Sequence, residues 1–357
     1  MKPIKTMEFN MPKPPSDVLW QRKDIMLVAA GSGPCLRELY YRAVEQGKLQ
    51  QLMFCHTIDD DYTMGTAEEK ITRVIKRAAA VHGVQVVVLY LNCLDILTRL
   101  DFDYLERILS EATGIMVRYF FRGPLGKMDI RHFKPVYEFM AELPEENGCI
   151  SHNLYQLPPL ATDVAGVIDT LPANEAKVLV APSGCRACLR DGDLLEQTQG
   201  VYTLETKKQD FIYGIEDNCV KQCRELMSDG KYKSLNLISS AVAAFIGFDG
   251  NWVANSMENN LKTRSFNIDG FNDAVYGVSC AQELLVEEEQ ELYVKPAREI
   301  LILGYSPLLC GEREQYAECF AYIRSMGYEP RFVGETAGGK PALCWVVSTA
   351  GIPAARM

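Results

Sequence analysis

Each of three apolar runs near the start of this sequence leads into a cysteine at or just after its end. The runs are Ile25–Ala30, Gln51–Phe54 and Val84–Leu91, and the cysteines are Cys35, Cys55 and Cys93. Helix-like segments separate the runs, so the pattern predicts parallel strands of a βαβ sheet. In such sheets, ligands bind outside the carboxyl ends of the strands. The spacing therefore predicts three thiols at one crevice.

Cysteine thiolates hold iron–sulfur clusters, so these three residues are candidate cluster ligands. Their spacing, C-x19-C-x37-C, is not that of a ferredoxin, and zinc sites use tighter pairs. Widely separated thiols suit a larger group that lies across the sheet edge. Three ligands leave a four-iron cluster one short, and a partner subunit would supply the fourth. The residues alone leave a second interpretation open, because free cysteine also packs as a small buried hydrophobe.

The elements around these cysteines occur again further along the chain. The stretch Ala176–Arg190 repeats the order of strand, Ser-Gly, Cys and Leu-Arg, and a third unit opens at Arg298. We predict an α/β fold of repeated Rossmann-like, doubly wound parallel-sheet domains, with a truncated third copy. The expected parts are an N-terminal arm (1–23), a first domain with the cluster cysteines (24–150), a second domain (151–297) and a partial third domain (298–357).

Two local predictions concern helices of the first domain. Thr66–Ala80 has an apolar face at helical spacing, and Thr66 with Glu69 matches a capping box. Asp129–Leu143 is predicted to be one further helix.

Cys185 and Cys188 form a second candidate site, at the end of the first strand of the second unit. A C-x-x-C pair can carry a thiol of lowered pKa, so these residues are candidates for holding a cofactor or for redox chemistry. The alternative is a tight turn with one buried cysteine, since no histidine or carboxylate completes the site in the sequence. The sequence identifies no catalytic residue. The second unit also lacks equivalents of Cys55 and Cys93.

The composition excludes several classes of protein. With 48% hydrophobic and 24% charged residues, the chain of 357 residues matches an ordinary globular protein. A net charge of -10 argues against a nucleic-acid partner. No apolar run approaches the ~20 residues of a membrane span, and the N-terminus has no signal-peptide core. We therefore expect a cytoplasmic protein, in which the twelve cysteines do not form disulfides.

Four segments together resemble one known family. They are Gly33-Pro-Cys35, Cys55, Gly65–Lys70 and Asn92–Asp101. In this order they resemble the nitrogenase component 1 family, which comprises nitrogenase molybdenum–iron protein subunits, cofactor-assembly scaffolds and light-independent protochlorophyllide reductases. Ala342–Ala355 is similar to the strand and glycine turn of the family's third domain. The resemblance covers nearly the whole chain.

The resemblance implies an oxidoreductase subunit. Cys35, Cys55 and Cys93 would be one subunit's ligands to an interfacial [4Fe-4S] or P-type cluster. A homologous component 1 subunit, in a homo- or hetero-oligomer, and an ATP-dependent [4Fe-4S] reductase would be the partners. The alternative is a non-catalytic scaffold for metallocluster or tetrapyrrole assembly. The shorter interval between the second and third cysteines and the short third domain leave the cluster type and the substrate open.

Overall fold

The computed structural model describes residues 2–3, 14–98, 100–128, 133–151, 157–182, 200–257, 261–291 and 293–357. The elements up to residue 150 are β1 (Lys2–Pro3), α1 (Pro15–Leu19), β2 (Ile25–Gly31), α2 (Gly33–Glu45), β3 (Leu52–His56), α3 (Asp59–Thr63), α4 (Ala67–Ala79), β4 (Val86–Leu91), α5 (Cys93–Leu97), α6 (Phe102–Thr113), β5 (Met116–Phe121), α7 (Gly123–Met128) and α8 (Val136–Ala141).

The later elements are α9 (Asp163–Thr170), β6 (Ala176–Val180), β7 (Val201–Thr203), α10 (Asp210–Tyr213), α11 (Glu216–Met227), β8 (Ser234–Ser239), α12 (Ala241–Phe245), α13 (Gly250–Asn255), β9 (Lys262–Phe266), α14 (Ala274–Gln290), β10 (Glu299–Leu303), α15 (Pro307–Cys310), α16 (Ala317–Ser325), β11 (Glu329–Phe332), β12 (Leu343–Val346) and α17 (Ile352–Ala355). Short 3₁₀ helices lie at Leu49–Gln51, Arg313–Tyr316 and Thr349–Gly351.

The first sheet has the strand order β3-β2-β4-β5, and all its pairs are parallel. Its central strand β2 is buried along its whole length. Alternate β2 side chains enter two separate cores, one shared with α4 and α6 and the other with α1, α2 and α8. A strand that is covered on both faces needs apolar residues at every position, which explains the uninterrupted run in the sequence.

The outer edge of the first sheet is covered by side chains of α6. Ser110 Oγ accepts a hydrogen bond from Val117 N at 2.9 Å and lies 3.3 Å from Val117 O. Glu106 Oε2 accepts from Tyr119 N at 3.2 Å. These bonds occupy backbone groups of β5 that would otherwise be free to pair with another strand.

The second sheet has the order β1-β7-β6-β8-β9, in which the N-terminal strand β1 is antiparallel and the other pairs are parallel. The third sheet has the order β11-β10-β12, again with parallel pairs. Parallel strands joined by helices confirm the predicted α/β class with Rossmann-like sheets. The exact domain borders stay predictions.

Helices α9 and α14 lie between the second and third sheets. One core contains residues of both helices together with residues of both sheets, among them Ile238 and Leu301. Gly166 and Gly277 sit at the crossing of the two helices, where an added Cβ would overlap the backbone of the facing helix. Small residues at these positions therefore let the two helices approach closely.

Two local predictions about helices were wrong. The predicted helix Asp129–Leu143 is interrupted, because 133–135 are not helical and Pro135 disfavours the helical conformation of the residue before it. Thr66 forms no side-chain cap at the start of α4, so the predicted capping box is absent. Its hydroxyl instead donates to Asp61 Oδ1 at 2.9 Å, in the turn that precedes the helix.

Among the described residues, no helix combines the length and the apolar character that a membrane span requires.

Candidate functional site

The three cysteines of the first domain occupy three different structural positions. Cys35 lies in the first turn of α2 and is half-buried. Cys93 is the first residue of α5 and is buried. Cys55 lies inside β3, one residue before the strand ends, and is also buried. Cys35 and Cys93 therefore lie just past their strands and Cys55 lies at the end of its strand, where the sequence pattern placed them.

The Cys55 side chain faces the core between the first sheet and α4. It packs in the cluster that contains Met53, Ile71 and Ile75. Burial, and after it the Asp95 carboxylate, raise the pKa of the Cys55 thiol to about 12. In the chain without a metal this residue is therefore a neutral thiol at neutral pH.

Cys93 belongs to another cluster, which also contains Val242 and Phe245 of α12. Gly123 leaves room for its sulfur, since a Cβ added there would lie 2.9 Å from Cys93 Sγ. Burial raises the pKa of Cys93 to about 12, although Leu125 N donates a hydrogen bond to the sulfur. Cys35 lies close enough to contribute electrostatically to the same shift.

A buried polar network lies among the three thiols. Tyr62 OH donates to Asp95 Oδ1 at 3.0 Å, and Tyr62 OH and Thr57 Oγ1 are 2.8 Å apart. Asn92 N donates to the second Asp95 oxygen at 2.8 Å. Burial raises the pKa of Asp95 to about 6, and burial together with Asp95 raises the pKa of Tyr62 far above its usual value.

Residues of the network interact electrostatically with the three cysteines. Asp95 contributes to the raised pKa of both Cys55 and Cys93, and Cys35 contributes to that of Tyr62. The three cysteines therefore lie at the same carboxyl end of the first sheet as the Asp95–Tyr62 pair, although Cys55 and Cys93 pack in different core clusters.

Arg122 joins the end of β5 to the turn that carries Cys35. Its Nη1 donates to Cys35 O at 2.9 Å, and its guanidinium carbon lies 5.1 Å from the centre of the Tyr90 ring. Burial raises the pKa values of Cys93 and Asp95, and the positive charge of Arg122 partly offsets this rise. Positive charge beside a thiol favours the thiolate that a metal would bind.

Helix α12, which follows β8 of the second sheet, packs on this edge of the first sheet. Cys93 and Leu94 of α5 pack with Val242 of α12 in one small apolar cluster. The rings of Tyr62 and Phe245 meet edge-on with their centroids 6.2 Å apart. Cys93 consequently lies where elements of the first and second sheets meet.

Cysteine is the right residue type for an iron–sulfur cluster, but the arrangement of the thiols leaves the ligand set open. Within the parts of the chain that the structure describes, no group of three or more His, Cys, Asp or Glu side chains could hold a metal ion. Cys55 also faces a different core cluster from Cys93. A cluster at this edge therefore needs a rearrangement of Cys55, or ligands from a second chain.

Cys185 and Cys188, the second candidate site, lie outside the described residues. The sequence did not lead us to expect that Tyr62 and Asp95 take part in the buried hydrogen-bond network. A signal for Asp95 was present, because Asn92 and Asp95 have the spacing of a capping box, which the structure forms. Tyr62 gave no signal, since its partner is 33 residues away in the sequence.

No protein-family model matches this chain, and no curated protein matches it significantly. Two solved structures of nitrogenase proteins are similar to it. One is nitrogenase Cp1 at pH 5, with 15% identity over 58% of this chain and 47% of that chain and a TM-score of 0.41. The other is nitrogenase Cp1 at pH 6.5, with 14% identity over 55% of this chain and 42% of that chain and a TM-score of 0.39.

This chain therefore spans less than half the length of either solved structure.

Proposed function

We propose that this chain is a cytoplasmic subunit of a nitrogenase component 1-type oxidoreductase, whose first domain binds an iron–sulfur cluster together with a second, homologous chain. The observation that supports the proposal is that Cys35, Cys55 and Cys93 all lie at the carboxyl end of the first sheet, where Cys93 packs against Val242 of α12. An ATP-dependent [4Fe-4S] reductase is the proposed electron donor. Such a cluster, when bound, would supply electron transfer.

The proposed ligands are Cys35, Cys55 and Cys93, and the rest of the ligand set comes from the partner. The chain's own contribution is to bury the thiols and to fix their surroundings. Tyr62 and Asp95 hold the α3 and α5 segments together through the 3.0 Å hydrogen bond, and Arg122 anchors the Cys35 turn. Cys185 and Cys188 are proposed, on their sequence pattern alone, to hold a second cofactor.

Iron content under anaerobic conditions tests the proposal. The protein is purified anaerobically from cells that also express its partner subunit, and iron is quantified with an EPR spectrum of the reduced sample. Cys35→Ala and Cys93→Ala are expected to lose the iron. Cys319→Ala is the matched control, because Cys319 is exposed and distant in sequence from the site. Iron that is absent from the wild type, or unchanged in both site variants, would contradict the proposal.

The open ligand set favours a second candidate function, a scaffold from which a metallocluster is passed on. A site that one chain does not complete can bind a cluster loosely. Transfer of iron to a recipient protein, without ATP-dependent reduction of any substrate, would identify the scaffold. Retention of the iron through repeated reduction cycles would identify the oxidoreductase.

A further inference from the structure

Helices α3 and α10 occupy equivalent places beside the first and second sheets. Strand β3, which precedes α3, pairs with β2, and strand β7, which precedes α10, pairs with β6 in the same parallel sense. Each helix is followed within two residues by a glycine with positive φ, 74° at Gly65 and 107° at Gly214. On the inner side, Tyr62 of α3 and Phe211 of α10 both pack against the apolar cluster that contains Cys93. The two helices therefore lie on neighbouring parts of the surface above this cluster.

The outer sides of these two helices expose large apolar side chains. Met64, the residue after α3, is 76% exposed, and Ile212 and Tyr213 of α10 are 63% and 85% exposed. Apolar side chains that are grouped on a surface mark interaction sites, and Met and Tyr are enriched in protein interfaces. These three residues are called the apolar patch below.

The charges beside the apolar patch differ between the two helices. Asp59 and Asp60 of α3 are exposed, whereas Asp61 is buried. The residues before α10 include Lys207 and Lys208, which are also exposed. The exposed charge is therefore acidic at α3 and basic just before α10.

Hydrogen bonds order both helices before any partner binds. Tyr62 OH of α3 donates to Asp95 Oδ1 at 3.0 Å. At the start of α10, Asp210 Oδ2 accepts from Lys207 N at 2.6 Å and from Asn218 Nδ2 at 3.0 Å. A surface that is already ordered loses less conformational entropy when it binds a partner.

We propose that the apolar patch binds a second copy of this chain across a two-fold axis, with α3 of each copy against α10 of the other. In a two-fold interface, every contact between two different elements occurs twice, with the copies exchanged. The acidic side of α3 then meets the basic side of α10 in both contacts, and the two apolar patches bury each other. The second chain of the proposed function, on which this assignment rests, is then another copy of the same polypeptide.

Sedimentation equilibrium of the full chain, expressed without any other subunit, tests the assignment. The wild type is expected to be a dimer. Asp59→Lys together with Asp60→Lys, and separately Lys207→Glu together with Lys208→Glu, place like charges opposite each other, so each double variant is expected to dimerise at least about tenfold more weakly. An equimolar mixture of the two double variants is expected to recover the dimer, because one of its contacts is native and the other pairs the exchanged charges.

Glu287→Lys together with Glu291→Lys is the matched control, because it reverses two exposed charges at the end of α14 and should leave the dimer unchanged. Ile212→Glu, which places a charge in the apolar patch, is expected to weaken the dimer as well and provides a second test if a charge variant does not fold. A monomeric wild type, double variants that dimerise as tightly as the wild type, or a mixture that does not recover the dimer would overturn the assignment.

The iron content of the same samples, prepared anaerobically, separates this assignment from the proposed function. A chain that binds iron but does not dimerise through the apolar patch would overturn the assignment alone. A dimer that depends on the apolar patch and contains no iron would support the assignment and contradict the proposed function.

Discussion

The burial of Lys177 predicts how much its substitution changes the free energy of unfolding. This lysine is completely buried at the start of β6, and its Nζ donates to Pro172 O at 2.7 Å. Burial lowers its pKa from 10.5 to about 8, against the opposing effects of Glu175 and Asp169. A shift of this size corresponds to about 3 kcal/mol of unfavourable free energy for keeping the ammonium charged in the folded chain.

The sign of the pH dependence follows from the two protonation states. Between about pH 8 and pH 10.5 the unfolded chain binds the proton and the folded chain does not, so this lysine makes stability rise with pH across that window. Lys177→Met removes the charge and also removes a hydrogen bond worth about 1 kcal/mol. We expect the variant to be about 2 kcal/mol more stable than the wild type at pH 7, and no more stable at pH 10.

Urea unfolding of both proteins at pH 7, 8.5 and 10 measures the difference between their free energies of unfolding. Taking the difference cancels the titration of the other buried groups. Lys233→Met is the matched control, because this lysine is exposed and its substitution should change little at any pH. If the difference in the free energy of unfolding between Lys177→Met and the wild type stays constant from pH 7 to pH 10, the pKa of Lys177 is not lowered by burial.

Two further substitutions test contacts of the first domain. Ser110→Ala removes the side chain that bonds Val117 N at 2.9 Å, so we expect a loss of about 1–2 kcal/mol in urea unfolding and more association through the uncovered edge in sedimentation experiments. If Ser110→Ala is as stable as the wild type and sediments in the same way, the Ser110 hydrogen bond does not protect the edge strand β5 from association. Tyr62→Phe removes the donor to Asp95 and leaves a buried carboxyl oxygen short of a partner, so the expected loss is about 1–3 kcal/mol. Tyr213→Phe is an exposed control. If Tyr62→Phe loses less free energy of unfolding than this control, the Tyr62–Asp95 hydrogen bond does not stabilise the chain.

The strands were predictable because burial on two faces leaves a strong mark on the sequence. β2 and β4 are fully buried and appear as uninterrupted apolar runs. The start of α2 was harder to place, because Gly33 and Pro34 are typical of turns, yet Pro34 is tolerated in the first turn of the helix. The helix therefore begins early enough to include Cys35.

The candidate site was predictable only in part. The sequence places Cys55 near the end of a strand, but the face to which its side chain points depends on strand register, which no short-range pattern reveals. The Asp95–Tyr62 hydrogen bond joins residues that are distant in the sequence, so it required the fold. The hydrogen bond from Gly270 N to Asp163 Oδ2 likewise joins two segments that are far apart in the chain.

The most direct test of the central claim is the native mass of the anaerobically purified assembly. We expect a complex of two component 1-type chains that carries the additional mass of an iron–sulfur cluster, and we expect Cys35→Ala and Cys93→Ala to lose this mass. A single chain without added mass, or a complex whose metal content is the same in both variants as in the wild type, would contradict the claim that these thiols hold a cluster shared between two subunits.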